Sequence, residues 1–463
     1  MDPIELTERL GRWSAGRGPL YLLLATRLRQ LIDDGELPLG ARLPPERALA
    51  SALAAGRSTV VAAYDLLRGE GRIVRQQGSG TRVRGLAVPA LPGTTSAPAF
   101  LHLLEPAGDV IPLACAAPQT PPPELAQAYQ RILPELAAID GDIGYHPAGH
   151  PALRRGIAER YRQLGVPTEP EQIMVTNGGQ QALSLLARLL VRPGDRVLTE
   201  APAYPGALEA FREEAAVLRP LPVGLDGFEG AVARYRPAVA YVIATCHNPT
   251  GAVLPAIARR RLAAAAADSR VPLIDDEVLA DLAFPGEERP QPVAAYDGAV
   301  ISVGSLSKIA WGGLRVGWIR APESLVGRLT RVRVAHELGG NIPAQLAAAD
   351  LLLRLEALRV LRARQLKEQH DHLRAELAAH LPDWDAPPVR GGQTLWVRLP
   401  CGDGDSFAQT ALRHGVAVLP GSGLDPSGRS RDHLRIHFQA QPGQLSEAVS
   451  RLAKAWHAYK PAP

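Results

Sequence analysis

The sequence predicts a two-part α/β protein: a small three-helix unit closed by a β-hairpin, followed by a large unit on a covered, mainly parallel sheet. Three observations carry this. The chain has 463 residues, enough for two to three domains. Helical apolar spacing dominates residues 1–86, whereas residues 109–463 alternate helical stretches with short β-branched runs. Between them, residues 87–108 are rich in Pro, Thr and Ser, lack either periodicity and read as a semi-extended connector.

Composition narrows the class. With 46% hydrophobic and 21% charged residues, the chain is ordinary for a soluble globular protein. The net charge of +4 becomes informative once divided: residues 1–86 carry 13 arginines, no lysine and only nine acids, and the remainder balances. A basic head on a neutral body suits a nucleic-acid-binding module. Cys115, Cys246 and Cys401 are far apart, odd in number and without metal-ligand spacing, so no metal and a reducing compartment are expected. Met1-Asp2-Pro3-Ile4-Glu5 is no signal pattern, and Arg188 interrupts the apolar run of residues 183–191. A cytoplasmic protein without membrane contact is expected.

In the head, Leu20, Leu24, Leu28 and Leu31 repeat at helical spacing until Gly35. Pro38, Gly40 and Pro44-Pro45 enforce a turn before a second helix over about 46–53, which Gly56 breaks. Ser58 and Thr59 read as N-caps of a third helix, with Val60, Tyr64 and Leu67 on one face. Ile73-Val74-Arg75 and Thr81-Arg82-Val83-Arg84 alternate as strands around Gly78-Ser79-Gly80. Three helices and a two-stranded wing make a winged helix-turn-helix.

Leu37-Pro38-Leu39-Gly40-Ala41-Arg42-Leu43-Pro44-Pro45-Glu46-Arg47, Arg57-Ser58-Thr59-Val60 and Gly78-Ser79-Gly80-Thr81 resemble the GntR family of bacterial regulators. The resemblance implies contacts with double-stranded DNA through Arg47, through Arg57, Ser58 and Thr59, and through the wing tip Gln77 and Gly78. The chemistry agrees: arginine reads guanine edges bidentately, and short hydroxyls reach phosphates at a helix N-terminus.

In the body, short apolar runs at residues 173–176, 196–198, 240–243, 272–275 and 300–303 read as strands, and polar motifs follow them. Thr176-Asn177-Gly178-Gly179-Gln180 leads from strand to helix, a phosphate site made of main-chain N–H groups. Glu200-Ala201-Pro202-Ala203-Tyr204 offers a ring for stacking, and His247-Asn248-Pro249-Thr250-Gly251 offers an amide donor to a phenolic oxygen. Asp275-Asp276-Glu277 places a carboxylate where it suits a protonated ring nitrogen.

Ser305-Leu306-Ser307-Lys308, with Arg315 seven residues on, completes the series. The chain has four lysines (Lys308, Lys367, Lys454 and Lys460) against 47 arginines. Arginine cannot form an imine, so where a primary amine is required this replacement cannot be made. Taken alone, Lys308 reads equally well as a surface lysine in a Gly/Ser-rich turn.

Together these motifs resemble the fold-type-I aminotransferases that use pyridoxal 5′-phosphate, over about 350 residues. The resemblance implies Lys308 as the Schiff-base lysine and Gly178, Gly179, Gln180, Ser305, Ser307 and Arg315 as phosphate ligands. It implies Tyr204 stacked on the ring, Asn248 at the ring hydroxyl and Asp276 at the ring nitrogen. Tyr145 corresponds to the tyrosine reaching the partner subunit's phosphate, and Arg435 to the clamp for an effector α-carboxylate. A large subdomain over about 140–320 and a smaller α/β subdomain over about 321–463 follow from the same resemblance.

The chain departs from the family's pattern twice. Leu279 stands where a tyrosine often bonds the ring oxygen, and Leu113-Ala114-Cys115-Ala116 lacks the glycine common at the substrate edge. A GntR-like head on an aminotransferase-like body resembles the MocR group of regulators. That resemblance implies a homodimeric DNA-binding regulator whose body senses pyridoxal 5′-phosphate, alone or with an amino compound, rather than a primary enzyme. The alternatives are a working aminotransferase with an appended head and a cofactor-independent repressor.

Overall fold

The computed structural model of the chain describes residues 1–14, 18–76, 80–84 and 109–459. The head comprises α1 (Pro3–Leu10), α2 (Leu20–Asp33), β1 (Arg42–Leu43), α3 (Glu46–Ala52), α4 (Arg57–Gly69), β2 (Ile73–Gln76) and β3 (Gly80–Val83). In α2 and α4 the predicted apolar faces are the buried ones: Leu24, Leu28 and Leu31, and Val60, Tyr64 and Leu67. The Tyr64 hydroxyl donates to the Pro44 carbonyl at 3.0 Å and so fixes α4 to the turn before α3. The strands form an antiparallel sheet in the order β1-β3-β2.

Two features of the head depart from the sequence reading. Helix α4 begins at Arg57 behind Gly56, which is extended and has no side-chain cap bond, so Ser58 and Thr59 lie in the first turn instead of capping it. Ahead of the head proper, Asp2 accepts from the Ile4 N–H at 2.7 Å and Pro3 opens α1, which buries Leu6 and Leu10 in the same core.

The body continues with β4 (Ile111–Pro112), α5 (Pro123–Ala137), α6 (Pro151–Gln163), β5 (Ile173–Thr176), α7 (Gly179–Leu190), β6 (Arg196–Glu200), α8 (Pro205–Glu213), β7 (Val217–Leu221), α9 (Phe228–Tyr235), β8 (Val239–Val242), α10 (Ala256–Ser269), β9 (Leu273–Asp276), β10 (Ile301–Ser305) and β11 (Gly317–Arg320). The main sheet runs β5-β11-β10-β9-β8-β6-β7. Its strands are parallel except β11, which is antiparallel to both neighbours, so the sheet is mixed but mainly parallel. Strands β5, β8, β9 and β10 are buried at every position, as expected for a sheet covered on both faces.

The remaining elements are α11 (Glu323–Val334), α12 (Ile342–Leu352), α13 (Leu355–His380), β12 (Thr394–Arg398), α14 (Gly404–Arg413), β13 (Val416–Ala417), β14 (Leu419–Pro420), β15 (His433–His437) and α15 (Pro442–Ala458). Here β12, β15 and β14 form a second, antiparallel sheet, backed by α13, α14 and α15. Strand β4, far back in the sequence, pairs in parallel with β13 and ties the start of the body to its end. Among the described residues no helix is long and apolar enough to cross a membrane.

Candidate functional site

The C-terminal ends of the parallel strands converge on one edge of the main sheet, where helices begin and main-chain donors are unspent. Strand β11 sets the spacing there: Gly317 pairs with Thr176 on one side and Ser305 on the other. A Cβ on Gly317 would come within 2.6 Å of the Gly178 backbone. Gly178 itself has φ +85°, and a Cβ there would sit 2.9 Å from the Arg315 guanidinium. Arg315 donates to the Asn177 carbonyl. The Ser305 hydroxyl donates to the Val316 carbonyl at 3.0 Å, lies 2.9 Å from the Ser307 hydroxyl, and accepts from the Ser307 N–H at 3.1 Å. Gly178, Gly179, Ser305, Ser307 and Arg315 thus share one strand-end cluster. Gln180 is expected to serve this cluster through its main-chain N–H. Its side chain donates to the Gly206 carbonyl at 2.8 Å and accepts from the Tyr204 hydroxyl at 3.1 Å, so only its main chain faces the cluster.

Next to this cluster stands Asp276, at the end of β9 and 5% exposed. It accepts from the Tyr241 hydroxyl at 2.7 Å and from the Val278 N–H at 3.0 Å. Burial outweighs these two donors and pushes its carboxyl up to about 6. Lys308 donates from Nζ to the Ala116 carbonyl at 2.7 Å, and Gln393 Nε2 reaches the same oxygen at 3.1 Å. Burial pushes the Lys308 ammonium down to about 8, with Cys115, Arg435, Asp276 and Arg315 the charged or ionisable groups around it.

Arg435 on β15 is 4% exposed. Its Nη2 donates to the Ala114 carbonyl at 2.6 Å and its Nη1 to Asn248 Oδ1 at 3.2 Å, whereas its Nε is buried without a partner. Burial brings the guanidinium down to about 10, and among the described residues no carboxylate faces it closely enough to offset that loss of solvation. Cys115 is half-buried between the two gripped carbonyls of Ala114 and Ala116.

Other expected residues lie elsewhere. Tyr145 is 60% exposed and does not join the cluster within this chain. The segment that carries it is braced by Asp142, which accepts from the Gly144 N–H and from His146, each at 2.8 Å. Leu279 is 6% exposed and packs in the main core, with no polar atom to offer the site. On the head, Arg47, Arg57 and Ser58 are exposed and Thr59 is partly so; Gln77 and Gly78 lie outside the described residues.

Tyr241 and Gln393 were missed by the sequence reading. A phenol inside the otherwise apolar run Val239-Ala240-Tyr241-Val242 requires a buried partner, and that signal was available. Nothing local to Gly391-Gly392-Gln393 indicates that its amide shares an acceptor with Lys308.

Comparison with known proteins agrees with this geometry. Residues 109–452 match the aminotransferase class I and II family, and residues 20–83 match the gntR family of bacterial regulatory proteins. "Uncharacterized HTH-type transcriptional regulator YisV" of Bacillus subtilis is 29% identical over 96% of this chain and 98% of its own length. "Probable rhizopine catabolism regulatory protein MocR" of Rhizobium meliloti is 32% identical over 79% and 78%, respectively. Among solved structures, the α-aminoadipate aminotransferase LysN of Thermus thermophilus, complexed with N-(5′-phosphopyridoxyl)-L-leucine, superposes with a TM-score of 0.70. It is 29% identical and covers 78% of this chain and 94% of its own. With both modules matched in order, and with regulators matching across nearly the whole length, the chain belongs to the MocR group of the GntR family of bacterial transcriptional regulators, a winged helix-turn-helix joined to an aminotransferase body of fold type I.

Proposed function

We propose that this chain regulates transcription by binding operator DNA through its head and holding pyridoxal 5′-phosphate at Lys308 as a sensor for an amino compound. The observation that carries the proposal is a half-buried primary amine, its pKa lowered by desolvation, in the same site as a buried guanidinium whose Nε has no partner. A guanidinium left in this state favours an incoming carboxylate, and a neutral amine favours a carbonyl carbon.

The residues present fit the cofactor. Gly178 leaves room for an anion against Arg315, with the first-turn N–H groups of α7 and the hydroxyls of Ser305 and Ser307 as further donors. Tyr204 is held by Gln180 so that its ring lines the site, Asn248 presents its amide, and Asp276 can hold a proton on a ring nitrogen. When bound, pyridoxal 5′-phosphate supplies an aldehyde that condenses reversibly with amines, and a ring that withdraws electrons. Arg435 would orient the carboxylate of an amino acid, and Tyr145 would extend toward the cofactor phosphate of a partner subunit in a homodimer. Two heads per dimer favour paired half-sites. For the cofactor to regulate, it must bind the two head arrangements with different affinity.

A working aminotransferase is the second reading, favoured by the retention of Lys308, Asp276 and Arg435 together. Against efficient turnover stands Leu279, which offers no hydrogen bond where one to the ring oxygen is common.

The test uses duplexes selected by the purified protein from a random-sequence pool, with binding measured at increasing pyridoxal 5′-phosphate. The regulator reading expects an affinity that changes with cofactor for the wild type and stays fixed for Lys308→Ala. Cofactor-independent DNA binding by the wild type would refute it. Steady formation of keto acid from common amino acids, at rates of about 1–10³ s⁻¹, would establish the enzyme instead.

A further inference from the structure

We propose that Trp13, just beyond α1, and the C-terminal turn of α3 form with α14 a seam that docks the DNA head on the body, and that capture of a carboxylate by Arg435 loosens this seam. The second half rests on the effector reading above; the first does not.

The seam is built from named bonds. The buried Trp13 indole N–H donates to Gln409 Oε1 on α14 at 3.0 Å. Arg413, in the last turn of the same helix, donates to the carbonyls of Leu53 at 2.9 Å and Ala54 at 2.6 Å. Leu53 is the C-cap of α3, where carbonyls lack intrahelical partners and the helix dipole is negative. Ala54 has φ +45°, a left-handed conformation that alanine rarely adopts. A cation from the body therefore braces the turn between the two DNA-reading helices, three residues before Arg57 opens α4. Among the described residues no acid balances Arg413, and burial lowers its pKa.

Behind these bonds the seam is thin. A pocket of about 120 Å³, open to one side, is lined by Thr7, Glu8 and Gly11 of the head and by Ala114, Leu419 and Gly423 of the body. The body wall is the backbone that holds the candidate effector site. The Ala114 carbonyl is the acceptor for Arg435 Nη2 at 2.6 Å, and Leu419 is the cross-strand partner of Arg435. Leu424, next to Gly423, accepts from the Ala203 N–H at 2.8 Å and so anchors the loop that presents Tyr204. A carboxylate gripped by the Arg435 fork takes the free Nε and the second Nη2 hydrogen, and the guanidinium must re-aim to meet it, which weakens the Nη2 bond to Ala114. Ala114 packs against Leu412 of α14 and Ala417, so a shift of Ala114 presses on the helix that carries Gln409 and Arg413.

The experiment is hydrogen exchange by mass spectrometry on the full-length protein, with N-(5′-phosphopyridoxyl)-L-leucine as the probe. The probe is expected to speed exchange in residues 49–57 and 3–14 by about tenfold, leaving residues 20–33 unchanged, because the head moves as a unit without unfolding. Arg413→Ala and Gln409→Leu should each produce the same rise without the probe, and the probe should add little to either. Wild-type exchange rates in both variants would overturn the seam. Binding of the probe, followed by its own absorption, with no change in residues 49–57 would overturn the coupling. Failure of the probe to bind would overturn the effector reading and the coupling with it, while the two variants still decide the seam. Faster exchange across residues 20–33 in the variants would mean general unfolding of the head and would also count against docking.

Discussion

Arg435 and Asn248 lie 187 residues apart in sequence, yet a hydrogen bond of 3.2 Å from Nη1 to Oδ1 joins them. The residue proposed to grip an effector carboxylate is therefore tied to the residue proposed to meet the cofactor's ring oxygen. Replacing Arg435 with Met removes a charge-assisted fork. Affinity for carboxylate-bearing amino compounds should fall about 10- to 100-fold by calorimetry, as expected when a hydrogen bond to a charged group is lost. Amines without a carboxylate should bind as before. Equal loss for both classes would place the effector carboxylate elsewhere.

Lys308 yields a pH prediction. Burial holds its ammonium near 8 instead of the usual 10.5, and the neutral amine is the form that attacks a carbonyl. Covalent capture of pyridoxal 5′-phosphate should therefore accelerate about tenfold per pH unit below about 8 and level off above it. Stopped-flow absorbance between about pH 6 and 10 reads this directly. A rise that continues to the ordinary lysine range would mean that the amine is solvated in solution. Lys308→Ala should show no covalent absorption at any pH.

Asp276 carries the opposite sign. Its folded pKa of about 6 lies above the ordinary 3.8, so the cofactor-free folded state binds the extra proton in that window. This group's contribution to stability is greatest below the lower value and declines as pH rises through the window. The cofactor reverses the preference, because a protonated ring nitrogen favours the ionised carboxylate. Cofactor affinity should thus drop as pH falls below about 6 in the wild type. In Asp276→Asn it should be weaker by about tenfold and no longer lose affinity through this group. Tyr241→Phe removes a donor to the carboxylate and should move the wild-type drop to higher pH.

Much of this site was legible in the sequence because polar groups at the ends of apolar strands stand out against them. Asp276 and Ser305 end such runs, and Gly178 comes two residues after one. What was not legible depends on partners distant in sequence. The antiparallel strand Gly317-Trp318-Ile319-Arg320 ends in an arginine that reads as exposed. Yet Arg320 is 1% exposed, with its guanidinium spent on the carbonyls of Gly298 and Val300. Arg333 looks like a helix-surface cation and is equally buried, donating to the carbonyls of Pro147 and Val175. Arg413 belongs to the same class. Whether an arginine faces solvent, an acid or main-chain oxygens is decided by packing, and helical periodicity does not carry that information.

Arg57 tests the independence of the two modules. It is the first residue of α4 and exposed, and we propose it as a base contact of the recognition helix. Loss of a bidentate base contact costs about 1–3 kcal/mol of discrimination, so Arg57→Ala should weaken binding to the selected duplex about 5- to 150-fold. Weak, salt-sensitive binding to random DNA should persist through the other basic residues of the head. The cofactor's absorption and its pH profile should be unchanged, because no bond links Arg57 to the strand-end cluster among the described residues. If Arg57→Ala also alters cofactor capture, the turn braced by Arg413 transmits strain from the DNA face into the body, and binding of DNA and cofactor must then be reciprocally coupled.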